Sequence, residues 1–324
     1  MSTNQVDVLL YGLGAIGSFY AFILSRSENV RLTVVARSNY EAVRSNGLVI
    51  NSQNHGQHTI HPYKVVKTAA EAQSTFDYIV CAHKAIDQAS VPAQIAPAVD
   101  EKRTTIVVIQ NGVGNEEPFR KSFPGATILS CVTWVGASQP VPGRVEHTSS
   151  EDMQMGLFPN PAVDESLEKQ RLDTFAALLK HGNTVFQVVP NIQVQRWEKV
   201  VWNAAWNSLT TLTMLDTHGW LSSSASATPL TRKLMTEVID VAQACGVPIE
   251  YSLIDRLLEK ILAMPPIGSS MQMDAKNGKP MEVDVILGYP VAKGKELDLA
   301  IPTIETIYVI LTGMNRRFLQ ASNL

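Results

Sequence analysis

A doubly wound parallel α/β domain followed by an all-α domain is the fold this sequence predicts. Three observations point there. In the first half, short apolar and β-branched runs alternate with helical segments, as in a parallel sheet covered on both faces. GLGAIG at residues 12–17 sets its glycines directly after the first such run and before a helical pattern. After Pro190 the texture turns helical throughout, so the chain divides into residues 1–190 and residues 191–324.

The strand-like runs are VDVLLYG (6–12), RLTVVAR (31–37), DYIVCA (77–82), TTIVVIQ (104–110) and TILSCVTWV (127–135). GAIGSFYAFILSRS, NYEAVRSN and VPAQIAPAVDEK supply crossover helices, and RVEHTSS, MQMGLF and TVFQVVP read as later strands. Beyond the boundary, IQVQRWEKVVWNAAWNSLTTLTML is one long helical pattern. LTRKLMTEVIDVAQACG, LIDRLLEKILAMPP and TIETIYVILTGMNRRFL follow it. Gly246 and Pro265 are expected stops, and Pro302 marks the start of the last helix.

With 324 residues, 45% hydrophobic and 18% charged, the chain can bury a large core and is not disordered by composition. Its formal charge of -3 gives no bulk electrostatic reason to bind nucleic acid. Cys81, Cys131 and Cys245 form no metal-ligand cluster and read as buried thiols of a reducing compartment. The histidines lack metal spacing such as HExxH, so no metal site is expected. No apolar run approaches the roughly 18 residues of a membrane span. MSTNQVDVLLYG has no charged n-region, and the terminal SNL lacks the basic middle residue of a peroxisomal tripeptide. A cytoplasmic protein that binds neither membrane nor nucleic acid is the expectation.

In GLGAIG, Gly12, Gly14 and Gly17 permit a tight turn and close backbone approach, with Leu13, Ala15 and Ile16 between them. The helix N-terminus that follows can receive a pyrophosphate, which makes the first domain Rossmann-like. The ribose-recognising position falls roughly 20 residues past the glycines. There the chain reads Arg37-Ser38-Asn39, with no carboxylate until Glu41. A guanidinium suits a 2′-phosphate, so NADPH/NADP+ is the expected cofactor.

Lys199, Asn203 and Asn207 recur every four residues, drifting about 40° per step, and so share one helix face. Val200, Val201, Ala204 and Ala205 around them look buried. An ammonium beside neutral amides suits ketone reduction, which builds negative charge on oxygen. Taken alone, the same helix reads by default as a snorkelling lysine above a buried polar network.

Further motifs run through nearly the whole chain: HKAID at 83–87, QNGVG at 110–114, WEKVVWNAAWNSLT at 197–210, SSMQMD at 269–274 and EVD at 282–284. With GLGAIG, and in this order, they resemble the ketopantoate reductase (2-dehydropantoate 2-reductase) family. The resemblance implies a helical second domain like the C-terminal part of 6-phosphogluconate dehydrogenase. It also implies NADPH-dependent reduction of a 2-oxo acid to a 2-hydroxy acid, with 2-dehydropantoate going to pantoate on the way to pantothenate and coenzyme A. Lys199 would be the general acid, paired with a catalytic Glu282 that also meets the substrate's distal hydroxyl. Asn203 and Asn207 would orient the substrate and Ser270 its carboxylate end. Asn111 would sit at the nicotinamide end of the cofactor, and Lys84 would face both cofactor and substrate. A homodimer is implied in the same way.

A cation such as Lys84 would lower the Lys199 pKa and Glu282 would raise it, so the net sign is open. Ser270 also reads as the N-cap of the helix after it. The chain departs from the family pattern at Ser208, where Pro is usual, and at VILGYPVA, where a Tyr-Ile-Asn-Gly-like stretch is usual. The polar AKNGKPM before Glu282 holds a turn at Asn277-Gly278. These departures leave 2-oxo acid reduction better supported than ketopantoate itself. A paralogous reductase or 2-hydroxy acid dehydrogenase with a branched or aromatic substrate is the alternative. A catalytically idle NADPH-binding sensor is another, although it would have no use for an acid at Lys199.

Overall fold

The structure, a computed structural model, describes residues 5–322. The first four residues of the N-terminal stretch and the tip of the SNL tripeptide lie outside them. The chain forms two compact units, residues 1–110 with 115–192 and residues 111–114 with 193–324. Four residues of the QNGVG motif thus belong with the helical part, although the strand before them belongs to the sheet.

The first unit opens with β1 (Val6–Tyr11), α1 (Ala15–Ser25), β2 (Val30–Val35) and α2 (Tyr40–Asn46). A hairpin of β3 (Leu48–Ser52) and β4 (Gly56–Ile60) leads to β5 (Lys64–Val66), β6 (Tyr78–Cys81) and α3 (Val91–Ile95). Then come β7 (Thr105–Ile109), α4 (Glu117–Ser122), β8 (Thr127–Thr133), β9 (Ala137–Val141) and β10 (Arg144–His147). The unit closes with β11 (Met153–Phe158), α5 (Glu165–His181) and β12 (Gln187–Val188).

Among the described residues the main sheet runs β12-β11-β8-β7-β6-β1-β2-β5. β1 lies between β2 and β6, parallel to both, with Tyr11 opposite Val35 and Cys81. The strand order reverses at β1, the place where doubly wound sheets bind their ligands. Side chains of β1 alternate between two cores. Val8 and Leu10 pack with Phe19 and Ile23 of α1 and Phe175 of α5, whereas Leu9 and Tyr11 pack with Ile95 and Phe119. This period of two carries layers on both faces, as the continuous apolar runs require.

Three features differ from the sequence reading. Parallel pairing is interrupted at β8, because β11 runs antiparallel to it, and β12 then pairs parallel to β11. RVEH does not extend that sheet; as β10 it joins β3, β4 and β9 in a separate four-stranded sheet. Helix α5 is an additional element, capped by Asp164, whose carboxylate accepts the Leu167 amide at 3.0 Å.

The second unit contains most of α6 (Ile192–Thr213), then α7 (Thr217–Ser222), α8 (Ala227–Ala244), α9 (Ser252–Ala263) and α10 (Ser270–Lys276). One π-helical turn, Asp284–Gly288, runs directly into α11 (Tyr289–Glu296), and α12 (Pro302–Ser322) closes the chain. Helix α8 gives out before Gly246, α9 stops ahead of Pro265, and α12 begins on Pro302, as the punctuation residues predict. In α6, Val200, Val201, Ala204 and Ala205 are fully buried. With Ser208 in place of Pro the helix continues unbroken, and the Ser208 hydroxyl donates to the Ala204 carbonyl.

Two readings are corrected here. Ser269, not Ser270, caps α10, accepting the Gln272 amide at 3.0 Å with its hydroxyl; Ser270 is the first helical residue and is exposed. Cys245 is exposed rather than buried, because it terminates α8 at the helix end. Among the described residues no helix is long and apolar enough to cross a membrane.

Candidate functional site

The glycine turn follows β1 directly. Gly12 adopts φ +102, and a Cβ there would lie 2.4 Å from the His83 backbone nitrogen. A Cβ on Gly17 would lie 1.9 Å from the Gly12 carbonyl oxygen, so only glycine lets α1 start this close to the strand. Gly14 differs. It is the exposed N-cap of α1, no side chain caps the helix there, and nothing lies within 4 Å of where its Cβ would stand. Open space over uncapped amides at the N-terminus of an 11-residue helix fits the pyrophosphate of a dinucleotide. Of the intervening residues, Leu13 lies in the turn and Ala15 and Ile16 open α1; the Leu13 carbonyl accepts the Asn39 amide at 2.6 Å.

Around the turn lies a polar brace. Gln110 donates to the His83 carbonyl at 2.9 Å, and Gln88 donates to the Gln110 side-chain oxygen at 2.8 Å. Burial drives the His83 pKa down to about 4, opposed by its hydrogen bond with Gln88 and reinforced by the Arg37 charge. His83 is therefore neutral at physiological pH and holds position rather than charge. Arg37 is exposed two residues beyond β2, and its charge also reaches Tyr11, at the end of β1. A guanidinium thus stands at this end of the first two strands, where a 2′-phosphate would need one. Lys84, next to His83 in the same unit, is exposed.

In the second unit, α6 carries its polar stripe through the core. Asn203 and Asn207 are buried, and Lys199 is half-buried. Burial pushes the Lys199 ammonium down to about 7; the Glu282 charge works against this and the Arg196 charge works with it. The net sign that the sequence leaves open is thus downward. Arg196 is a cation that sequence reasoning passed over, although it sits three residues before Lys199 on the same helix face. It is almost wholly buried, and its guanidinium donates to the Gly112 carbonyl at 2.9 Å.

That bond fixes the 111–114 segment in this unit. Asn111 donates its amide to Glu282 at 3.1 Å, and the Val113 amide donates to the Val285 carbonyl at 3.0 Å. Gly112 and Gly114 both adopt positive φ; a Cβ on the first would strike the Val285 carbonyl at 2.4 Å, and on the second the Tyr289 ring at 2.2 Å. The π-turn therefore presents Val285 to the segment and leaves half-buried Glu282 at its mouth. Lys199, Glu282 and Asn111 come together in this way. Ser270 stands further along, beside Ser269, whose hydroxyl is 2.8 Å from that of Thr210 on α6.

A Rossmann-like nucleotide-binding domain joined to a helical domain that carries a half-buried, low-pKa lysine defines a class of nicotinamide-type oxidoreductases. Residues 8–160 match the family described as "Ketopantoate reductase PanE/ApbA", and residues 191–315 match its C-terminal domain. The chain belongs to the ketopantoate reductase family, whose reaction interconverts a 2-oxo acid and a 2-hydroxy acid. It is 25% identical over 316 residues to a 2-dehydropantoate 2-reductase of a Nostoc species, covering 97% of each chain. The crystal structure of 2-dehydropantoate 2-reductase from Methylococcus capsulatus superposes with a TM-score of 0.86 at 33% identity, over 97% of this chain and 98% of that one. The ternary structure of D-mandelate dehydrogenase with NADH and anilino(oxo)acetate shares the fold, with a TM-score of 0.85 at 20% identity over 96% and 99% of the chains.

Proposed function

We propose that this protein is an NADPH-dependent 2-oxo acid reductase that converts 2-dehydropantoate to pantoate in the cytoplasm. One observation carries the proposal: a lysine brought down to about 7 on the same buried helix face as two carboxamides. When held by Arg37 and the 12–17 turn, NADPH would supply the hydride that the substrate's C2 takes up. As that carbon is reduced, the carbonyl electron pair moves onto oxygen, and the Lys199 ammonium both stabilises the charge and transfers its proton there. The 2-hydroxy acid and a neutral amine result, and solvent restores the proton. Asn203 and Asn207 hold the substrate with uncharged donors. Glu282, steadied by Asn111 at 3.1 Å, keeps a negative charge near the ammonium and receives a distal hydroxyl. Ser270 and Lys84 complete the substrate contacts of this reading, and Arg37 with the 12–17 turn holds the cofactor.

Similarity to a 2-dehydropantoate 2-reductase at 33% identity supports the substrate. A dimer belongs to the same reading: α12 exposes Val309 and Ile310, and a likeness at 22% identity is to a dimeric ketopantoate reductase from Staphylococcus aureus. The test is NADPH oxidation by the purified protein against a panel of 2-oxo acids, repeated with NADH. The expected result is fastest turnover of 2-dehydropantoate with NADPH; no turnover of any member would overturn the proposal.

A further inference from the structure

Helix α6 carries buried donors that the protein itself does not use. The Asn203 side-chain nitrogen and the Trp206 indole nitrogen are both enclosed, with residue exposures of 5% and 1%, and neither has a hydrogen-bond partner. An enclosed N–H without an acceptor is unfavourable and rare in a native protein, so a pair on one helix calls for an explanation. Their placement offers one. At about 100° per residue, Trp206 falls about 20° from Lys199 around the helix axis and about 60° from Asn203. It stands about 10 Å along the axis from Lys199 and about 4.5 Å from Asn203. The two donors therefore lie on the stripe that begins with the proposed acid, just beyond it.

The far end of the stripe is already satisfied. Thr210 donates to the Trp206 carbonyl at 2.6 Å and meets Ser269, which in turn caps α10. Ser269 is thus committed to structure and Ser270 is exposed. The Thr211 hydroxyl is also buried without a partner, but it falls about 120° from Lys199 around the axis, so among the described residues the unpartnered donors on the Lys199 side of the helix are Asn203 and Trp206.

We infer that Trp206 is a further substrate-binding residue, whose indole N–H joins the Asn203 amide to take one carboxylate oxygen each of the bound 2-oxo acid. The inference rests on the reductase reading. Both donors are uncharged, so they grip an anion without adding a second cation beside Lys199. The carboxylate is common to every 2-oxo acid, and the grip is independent of the side chain.

The test is Trp206→Phe, which keeps the ring and removes the N–H. Calorimetric titration of the NADP+-loaded protein with 2-dehydropantoate and with phenylglyoxylate forms complexes that cannot react. Affinity for both acids is expected to fall roughly tenfold or more, the loss of one hydrogen bond to a charged group. The Tm of the free protein is expected to stay level or rise by about 2 °C, because an unsatisfied buried donor has gone. A merely structural indole would give the opposite pattern, a lower Tm with unchanged affinity, and that result overturns the inference. So does a loss confined to one of the two acids, which would place the N–H on the side chain. Wild-type protein that turns over a 2-oxo acid while the variant binds it equally well would leave the reductase reading standing and remove only this role. A wild type without turnover removes both.

Discussion

In the proposed reaction Lys199 decides whether the site can act near neutral pH. A lysine at about 7 is half protonated where an ordinary one, near 10.4, is fully charged. Reduction needs the proton, so kcat/KM with 2-dehydropantoate should fall as pH rises through about 7, while oxidation of pantoate should rise over the same interval. Arg196→Met removes a like charge, so both limbs should move to higher pH; unchanged midpoints would show that Arg196 acts on structure alone. Lys199→Ala should lower turnover by roughly 10²–10⁴, the usual worth of a positioned acid, and leave NADPH affinity nearly unaltered. The same shift bears on folding. The folded chain releases this proton at about 7 and the unfolded chain near 10.4, so native stability gains with pH across that window. Thermal melts of wild type and Lys199→Met should therefore diverge between about pH 7 and 10. The polar stripe was legible in the sequence because it follows helical spacing alone. Arg196 and Trp206 were not, since arginine and tryptophan near a helix edge usually need no special account; burial and its bond to Gly112 single out the first, and burial with an unpartnered N–H the second.

At the scale of elements, the important unit is the 111–114 segment clamped on the π-turn. Gly112→Ala would put a methyl on a backbone carbonyl at positive φ, where no side-chain rotation relieves it. A loss of about 2–4 kcal/mol is expected, together with a fall in kcat larger than any change in cofactor affinity. Chemical denaturation and steady-state kinetics on that variant check both. Strand alternation, the glycine turn and the helix stops were all readable, because each rests on local chemistry. The π-turn was not, because VILGYPVA has no local feature demanding one extra residue per turn; its partners come from a distant segment. The small sheet escaped because β4 is exposed and polar, GQHTI, with little alternation to read. Helix α5 had a usable signal in Asp164 followed by Leu172, Phe175 and Leu179.

For the molecule as a whole, the proposed determinant of cofactor choice and the ion pairs behind acid stability lie at opposite ends of the first sheet's strands. Arg37→Asp should reverse the preference for NADPH over NADH, measured as the ratio of kcat/KM values; an unaltered ratio would remove Arg37 from the 2′-phosphate site. At the other end, Arg31 and Arg103 bracket Asp7 and Asp77 with ion pairs of 2.6–3.1 Å. Burial of Asp77 works against its charge, but hydrogen bonds from Arg103 and the Asp7 amide outweigh it and hold the carboxyl below its ordinary range. That contribution is present above the unfolded pKa and disappears as pH falls through the folded one. Asp77→Asn should cost about 1 kcal/mol at neutral pH, with the difference closing in strong acid.

The excursion of residues 111–114 also sets an order of events in biosynthesis. Gly112 leaves the ribosome about 170 residues before Val285, which at roughly 5–20 residues per second is a wait of about 10–30 s. During that interval α6 emerges with Arg196 before the π-turn exists. Gene fusions or domain exchanges that cut at residue 192 would separate partners that the linear map keeps apart but the fold joins. A transplanted residue 193–324 segment would arrive without the Asn111 that holds its own Glu282 and the three residues that pack on its Arg196 and π-turn.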